Sequence, residues 1–361
     1  MSLVRIEVPS QQRRYPVLVG AGALAELANY LRSEGLNDTT IVTVPPVWRA
    51  QGHRLADFAG DAGPVVMSDG ERAKTLQAVS RLYDAFAKRG VSRSSTIVAF
   101  GGGVTGDVAG FAAASYLRGV PLVQIPTTLL AQVDSAIGGK VGVNLPTGKN
   151  LAGAFHSPSL VVCDPEVLKS LRRREFRAGL YEVVKYGVVL SRDLFDTVST
   201  DLKLILRVDA ATLVPLVARC CEIKADVVSA DEREHGPRRV LNFGHTIGHA
   251  LEAMTEYRRF RHGEAIAYGM LAAAHMSMTR GLMPREDQER VADLIRRMGP
   301  LPAVTDLKQS DAHAIIGRDK KIADGRLHFV LCAGLGQSAI ATDVTPQELA
   351  GALSAIGMPA E

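Results

Sequence analysis

TIVAFGGGVTGDVAGFAAASYLRG, residues 96–119, is the stretch that decides the fold. An apolar run of strand character, residues 96–100, passes directly into Gly101, Gly102 and Gly103 and then into a helix of small residues. Gly101, Gly103 and Gly106 satisfy G-x-G-x-x-G. Glycines let a backbone approach a pyrophosphate, and a helix N-terminus offers free N–H groups and a partial positive charge. The pattern is weak alone, but here it has a strand before it and a helix after it. A standard dinucleotide unit also carries an acid about 20 residues on, for the ribose. The segment VPLVQIPTT, residues 120–128, offers none. Two readings stay open: dinucleotide binding by a non-standard arrangement with Glu71 and Lys74 at the ribose end, or a tight packing turn with no ligand.

Toward the N-terminus, residues 3–8 and 16–19 read as short strands and 21–32 as a helix. Residues 40–44 read as a buried strand ending at Pro45 and Pro46, and 65–67 as another strand. Glu71 and Lys74 stand three apart at the start of the next helix. Residues 120–158 are polar and glycine-rich between apolar runs. Thr127 and Thr128 follow a strand there, and Asp134, Lys140, Lys149 and Asn150 are spread over loops. Glycine-supported loops with two lysines and an amide suit an anion. Residues 161–163 close this half, an α/β N-terminal domain over 1–170, dinucleotide-binding on the first of the two readings.

Beyond about residue 165 the pattern turns helical, giving a mainly α-helical C-terminal domain over 171–361. FRAGLYEVVKYGVVL, residues 176–190, is apolar nearly all round, so it predicts a buried helix. Glu182 and Lys185 sit inside it, three apart on one face. Buried charges need a partner or a metal, so a private ion pair and a functional pair are both open. A helix over 212–228 carries Lys224, and further helices are expected at 264–280, 285–298 and 346–355. A small β-hairpin lies before the last of these, entered by a basic loop with Lys320 and Lys321.

The second decisive stretch is RRVLNFGHTIGHALEAMTEYRRFRHGE, residues 238–264. Four residues is about one helical turn, so His245 and His249 share a face. His262 follows a short Tyr/Arg-rich break. Three histidines at this density fit a metal site, or two helix-surface histidines and one capping histidine. A zinc protease would need a glutamate directly after the first histidine, where this chain has Thr246.

With 361 residues, the chain is long enough for about two domains. Its 47% apolar and 22% charged content suits a soluble globular protein. A formal charge of +4, scattered along the chain, gives no nucleic-acid footprint but suits an anionic substrate. Cys163, Cys220, Cys221 and Cys332 form no C-x-x-C pair and read as reduced thiols. MSLVRIEVPS alternates like a strand without an apolar signal core, and no apolar run is long enough to span a membrane. A cytoplasmic protein that binds neither nucleic acid nor membrane is expected.

Taken together, GGGVTGD, PTTLLAQVDSAIGGK, GKNLAGAFHSP, EVVKYG, RRVLNFGHTIGHALE and HGEAIAYGM resemble the 3-dehydroquinate synthase family. The resemblance runs from Glu71 to Lys321 and rests on several long, ordered motifs. It implies NAD and one divalent metal, zinc or cobalt, held by Glu182, His245 and His262. It places the cofactor against Glu71, Lys74, Gly102, Gly103, Val104, Asp107, Thr127, Thr128, Asp134, Lys140 and Lys149, with Val167, Ser170, Leu171 and Glu175 around the nicotinamide half. It places an anionic sugar-phosphate substrate against Lys140, Asn150, Lys185, Lys224, Arg238, Asn242, His249 and Lys320. Family members are usually homodimers in which an arginine reaches the neighbouring site, and Arg118 matches it. The chain departs from the pattern at Val44, where relatives often carry Asp or Asn toward the adenosine ribose, and at Arg172, where many carry proline.

The implied reaction converts 3-deoxy-D-arabino-heptulosonate 7-phosphate to 3-dehydroquinate and phosphate. It runs by transient oxidation, β-elimination, reduction and an intramolecular aldol closure, with NAD returned. Three alternatives stand beside it: a cyclase of a related sugar phosphate lacking the carboxylate, a metal- and NAD-dependent polyol dehydrogenase, and a silent binding protein.

Overall fold

The computed structural model describes residues 3–234, 236–319 and 328–360; Lys320 and Lys321 lie outside them. By contacts the chain divides into two compact units, Met1–Arg172 with Val208–Glu232, and Arg173–Arg207 with Arg233–Glu361.

The first unit begins with β1 (Val4–Pro9), β2 (Arg14–Val19), α1 (Leu27–Ser33), β3 (Asn37–Thr43), α2 (Pro45–Gln51), α3 (Ala56–Ala59) and β4 (Val65–Val66). It continues through α4 (Leu76–Lys88), β5 (Ser95–Gly101), α5 (Gly103–Ser115), β6 (Leu122–Pro126), β7 (Lys140–Leu145), β8 (Gly148–Phe155) and β9 (Leu160–Cys163). Seven strands form one sheet in the order β1-β2-β9-β6-β5-β3-β4. β1 pairs antiparallel with β2, and the other neighbours pair parallel. Every residue of β5 is buried, as expected of a parallel strand covered on both faces. Val42, Val44, Val65, Phe86, Ile97, Val108 and Leu122 share one apolar core.

Local chemistry moved several expected boundaries. Pro45 and Pro46 end the strand and also open α2, because their fixed φ suits a first helical turn whose N–H groups are unpaired anyway. Residues 21–32 form a 3-10 turn, Ala23–Glu26, before α1 rather than one helix. Glu71 lies in a 3-10 turn, Glu71–Ala73, and α4 begins beyond Lys74, capped by the Thr75 hydroxyl. Lys140, Lys149 and Asn150, expected on loops, stand on the antiparallel hairpin β7–β8. β8 is half exposed along its length, so its residues carry no clear apolar alternation.

The second unit takes α6 (Arg173–Val189) and α7 (Arg192–Leu206); the chain then returns to the first unit for α8 (Ala210–Ala230). The sequence expectation put all of 171–361 in one domain, whereas α8 packs against β1 and β2 of the sheet. The second unit resumes with α9 (His245–Met254), α10 (His262–Thr279), α11 (Arg285–Arg297), α12 (Gln309–Asp319), the hairpin β10 (Phe329–Cys332) and β11 (Ser338–Ala341), and α13 (Pro346–Ala355). α12 was not anticipated.

Close approach of backbones fixes α6, α9 and α10 together. A Cβ at Gly263 would stand 1.9 Å from the Ala178 carbonyl oxygen, and one at Gly269 would stand 1.8 Å from that of Gly244. Only glycine admits such approaches, so α10 is seated against both α6 and the start of α9. Glu182, His245 and His262 ride on these three helices. Among the described residues, no helix is long and apolar enough to cross a membrane.

Candidate active site

In the second unit, Glu182 is fully buried in the middle of α6. One carboxylate oxygen, Oε2, accepts from the Lys185 ammonium one turn along the same helix. The other, Oε1, is buried with no hydrogen-bond partner among the described residues. Two imidazoles face that atom. His245 Nε2 lies 3.9 Å from it and His262 Nε2 lies 3.6 Å from it. Ligands sharing one tetrahedral ion at bond lengths of about 2.1 Å stand about 3.4 Å apart, so these separations suit a common ion.

The far nitrogens fix both tautomers. His245 Nδ1 is 3.2 Å from the Phe243 carbonyl oxygen, and His262 Nδ1 is 3.2 Å from Glu252 Oε2. Carbonyl and carboxylate oxygens only accept, so each Nδ1 carries a hydrogen and each Nε2 is the nitrogen that faces Glu182. Burial pushes His245 well below the usual imidazole range, aided by the Lys185 charge and by His249 and His262. A neutral imidazole is the form that ligates a metal. His249 closes the group: ligand atoms of His245, His249 and His262 all lie within 4.8 Å of one another. Of the three, His249 is the exposed one. An orphaned buried carboxylate oxygen and converging imidazole nitrogens fit a divalent cation such as zinc or cobalt.

Around this centre, Lys185 is 1% exposed and Arg238 is 2% exposed. Arg238 and Asn242 lie in the 3-10 turn Pro237–Asn242 that leads into α9. The Asn242 amide donates to Glu234 Oε1 at 2.7 Å. Glu234 was not singled out for the site in the sequence; its position eight residues from Asn242 gives no periodic signal.

The first unit gathers the other set. Gly102 caps α5 without a side-chain bond, and Gly103 and Val104 form its first turn. Thr127 N–H donates to the Gly101 carbonyl at 2.9 Å, and its buried hydroxyl oxygen has no hydrogen-bond partner among the described residues. The Thr128 hydroxyl accepts from Ala131 N–H at 3.2 Å, anchoring the π-turn Ala131–Ser135 that carries Asp134. Asp134 pairs with Lys224 of α8. The buried Lys74 ammonium donates to both Asp107 and the Asn150 side-chain oxygen. Burial pushes the Asp107 carboxyl up to about 6, against the opposing pull of Lys74.

Asn144 ties this corner together, a connection not anticipated from the sequence. Its N–H donates to the Lys74 carbonyl at 2.9 Å, and its amide donates to Glu71 Oε1 at 2.7 Å. Its side-chain oxygen accepts from Asn150 N–H at 2.9 Å, where Asn150 holds a left-handed φ of 57°. Val44 is 3% exposed, so its side chain serves the core.

The expected residues thus fall into two sets. Glu71, Lys74, Gly102, Gly103, Val104, Asp107, Thr127, Thr128, Asp134, Lys140, Lys149, Asn150, Val167, Ser170, Leu171, Lys224 and Arg118 belong to the first unit. Glu175, Glu182, Lys185, Arg238, Asn242, His245, His249 and His262 belong to the second. Glu175, expected near the nicotinamide, pairs with Arg261 at 2.6 Å. Val167 is 1% exposed within the 3-10 turn Pro165–Ser170, and the Ser170 hydroxyl accepts from the Gln51 amide at 2.9 Å. Arg118 is exposed in a turn where it and Leu117 both take left-handed φ, 68° and 49°. Lys320 lies outside the described residues.

Residues 64–178 match the model described as 3-dehydroquinate synthase N-terminal, and residues 179–322 match 3-dehydroquinate synthase C-terminal. A 3-dehydroquinate synthase of Symbiobacterium thermophilum is 45% identical over 354 residues, covering 96% of this chain and 98% of that protein. Among solved structures, a 2-epi-5-epi-valiolone synthase from Streptomyces hygroscopicus with bound NAD+ and Zn2+ superposes with a TM-score of 0.86 at 29% identity, covering 98% of this chain and 99% of that one. A 2-deoxy-scyllo-inosose synthase complexed with carbaglucose-6-phosphate, NAD+ and Co2+ superposes with a TM-score of 0.85 at 30% identity, covering 97% of this chain and 99% of that one.

Proposed function

The chain belongs to the 3-dehydroquinate synthase family, and we propose that it carries out that family's reaction, a carbon–oxygen lyase step embedded in a redox-neutral cyclisation. Its substrate is then 3-deoxy-D-arabino-heptulosonate 7-phosphate and its products are 3-dehydroquinate and phosphate, in the shikimate route to aromatic amino acids. The observation that carries this reading is the convergence of His245 Nε2 and His262 Nε2 on Glu182 Oε1, which has no hydrogen-bond partner among the described residues, in such a chain. Bound NAD+ supplies a reversible hydride acceptor, and a bound zinc or cobalt ion supplies Lewis acidity to the substrate carbinol.

The protein's own part is to bind, orient and move a proton. Glu182, His245 and His262 hold the ion. Lys185, buried against Glu182, balances the carboxylate charge and leaves one oxygen free for ligation. Arg238 grips the substrate carboxylate in a planar, bidentate fashion, and Asn242 fixes a neighbouring hydroxyl. Lys140, Asn150, Lys224 and Lys320 hold the phosphate end in one conformer, keeping leaving group and transferable proton close. His249, exposed and one turn beyond His245, passes the carbinol proton to solvent. Glu71, Lys74, Asp107, Thr127, Thr128, Asp134 and Lys149 hold the cofactor, with the glycine turn at its pyrophosphate.

The 45% identity to a 3-dehydroquinate synthase, against 29–30% to the two solved cyclases of other substrates, favours the carboxylate-bearing sugar phosphate. Buried Arg238 fits that choice. We place the enzyme in the cytoplasm as a homodimer, with Arg118 completing the neighbouring site; two consecutive left-handed residues at 117 and 118 are backbone strain of the kind kept for a function. On this reading, mixing Arg118→Ala with His245→Ala subunits regains activity that neither variant has alone.

The decisive test supplies the heptulosonate phosphate with trace NAD+ and follows phosphate release with and without a chelator. Release far beyond the NAD+ supplied, abolished by the chelator and restored by zinc or cobalt, is expected. NADH accumulating in step with substrate consumption would instead indicate a polyol dehydrogenase.

A further inference from the structure

Glu252 stands seven residues after His245 on α9, about two turns along, so His245, His249 and Glu252 form one stripe. Its side chain is 5% exposed. A carboxylate so far from water is costly unless something holds it. Its Oε2 lies 3.2 Å from His262 Nδ1, the nitrogen that faces away from Glu182. His262 Nε2, 3.6 Å from Glu182 Oε1, is the nitrogen that faces the centre.

The backbone is bent to make this meeting. After α9 the chain reverses through Glu256 and Tyr257, both left-handed with φ of 50° and 57°. Tyr257 N–H donates to the Glu252 carbonyl at 2.8 Å, and the Thr255 hydroxyl donates to the Leu251 carbonyl at 2.8 Å. Consecutive left-handed residues other than glycine carry a steric penalty. Here they turn the chain so that residue 262 comes back against residue 252. The two imidazoles are therefore held unequally. His245 Nδ1 has a neutral backbone carbonyl, whereas His262 Nδ1 has a carboxylate.

We propose that Glu252 is a positioning residue acting through His262: it fixes the Nδ1–H tautomer, locks the ring orientation and strengthens Nε2 as a donor to the divalent cation. The proposal rests on the metal reading given above. A carboxylate behind a ligating imidazole raises its basicity, and losing such a partner costs about 10- to 100-fold in metal affinity.

The test compares full-length wild type, Glu252→Gln and Glu252→Ala, each loaded with Co2+ or Zn2+. Metal dissociation constants are read by competition with a chromogenic chelator, the cobalt d–d spectrum reports ligand geometry, and melting is followed with and without metal. Glu252→Ala should weaken the metal by about 10- to 100-fold. Glu252→Gln keeps an acceptor without the charge, so it should lose less affinity yet still shift the cobalt spectrum. NAD+ affinity should stay unchanged in both. If Glu252→Gln melts lower with and without metal alike, while its cobalt spectrum and metal affinity match the wild type, the carboxylate is only a packing element and the proposal fails. A wild type that binds neither ion in this assay would overturn the metal reading, and the proposal with it.

Discussion

The charged groups of the first unit are already in each other's hands: Lys74 with Asp107 and Asn150, Glu71 with Asn144, Lys224 with Asp134. At the centre of the second unit, by contrast, Glu182 Oε1 has no hydrogen-bond partner among the described residues, and the Nε2 atoms of two imidazoles converge on it. The difference reflects the guest each corner suits. A large organic cofactor exchanges its hydroxyls and phosphates for bonds the protein already makes, so these charged groups can be paired beforehand even while the Thr127 hydroxyl oxygen has no partner among the described residues. A small cation needs donor atoms turned to one point, so that corner keeps a buried carboxylate oxygen without a hydrogen-bond partner among the described residues. The unmatched carboxylate is tolerable because Lys185 neutralises its other oxygen.

This contrast breaks first at the imidazoles. His245→Ala should lose the metal and lower turnover by about three orders of magnitude, the several kcal/mol that a Lewis acid supplies. His249→Ala should retain metal and lose turnover only. Elemental analysis of the two purified variants checks it, and equal metal content in both would contradict the division of labour between them.

A smaller effect belongs to the prepaired corner. Asp107 has its carboxyl raised to about 6, so the group holds its proton more tightly in the fold than when exposed. Its own contribution to stability therefore falls as pH rises from the ordinary carboxylate range to about 6. Cofactor affinity should run the other way, rising as pH passes upward through about 6, because the charged form of Asp107 holds Lys74, and both are proposed above to hold the cofactor. Titration calorimetry of NAD+ binding across this range should show the rise in wild type. Asp107→Asn should bind about 10-fold more weakly with a flat profile, since a charge-assisted bond contributes roughly 1.5–3 kcal/mol.

The smallest effect sharpens the comparison by leaving chemistry alone. The Thr75 hydroxyl accepts from Ala78 N–H at 3.1 Å and caps α4 just beyond Lys74. Thr75→Ala should cost about 1 kcal/mol of stability by urea unfolding. Metal content should not change.

Most of this was legible where a local rule acts alone. The strand–glycine–helix passage at 96–119 has the same secondary structure on either reading of its ligand, and β5 and α5 follow it. The apolar segment 176–190 could only be buried, and α6 is, with Glu182 and Lys185 paired inside it. Periodicity was silent where partners are distant. A helical stripe at 212–228 shows that a face is buried, not which unit covers it, so α8 was assigned to the wrong domain. The β7–β8 hairpin looked like loops because its exposed strand lacks an apolar rhythm. Asn144 was invisible because Glu71 stands 73 residues before it, and Glu252 because its meeting with His262 depends on a turn whose left-handed residues are ordinary Glu and Tyr.

The return of α8 to the sheet has a consequence for synthesis. The first unit is not a contiguous stretch of message: its last helix is encoded beyond α6 and α7. A ribosome paused after Arg172 has therefore made all seven strands of the sheet but not the helix that packs against β1 and β2. That surface waits bare until residue 232 has left the exit tunnel, so the nascent chain is most open to aggregation, and to chaperones, during translation of the intervening helices.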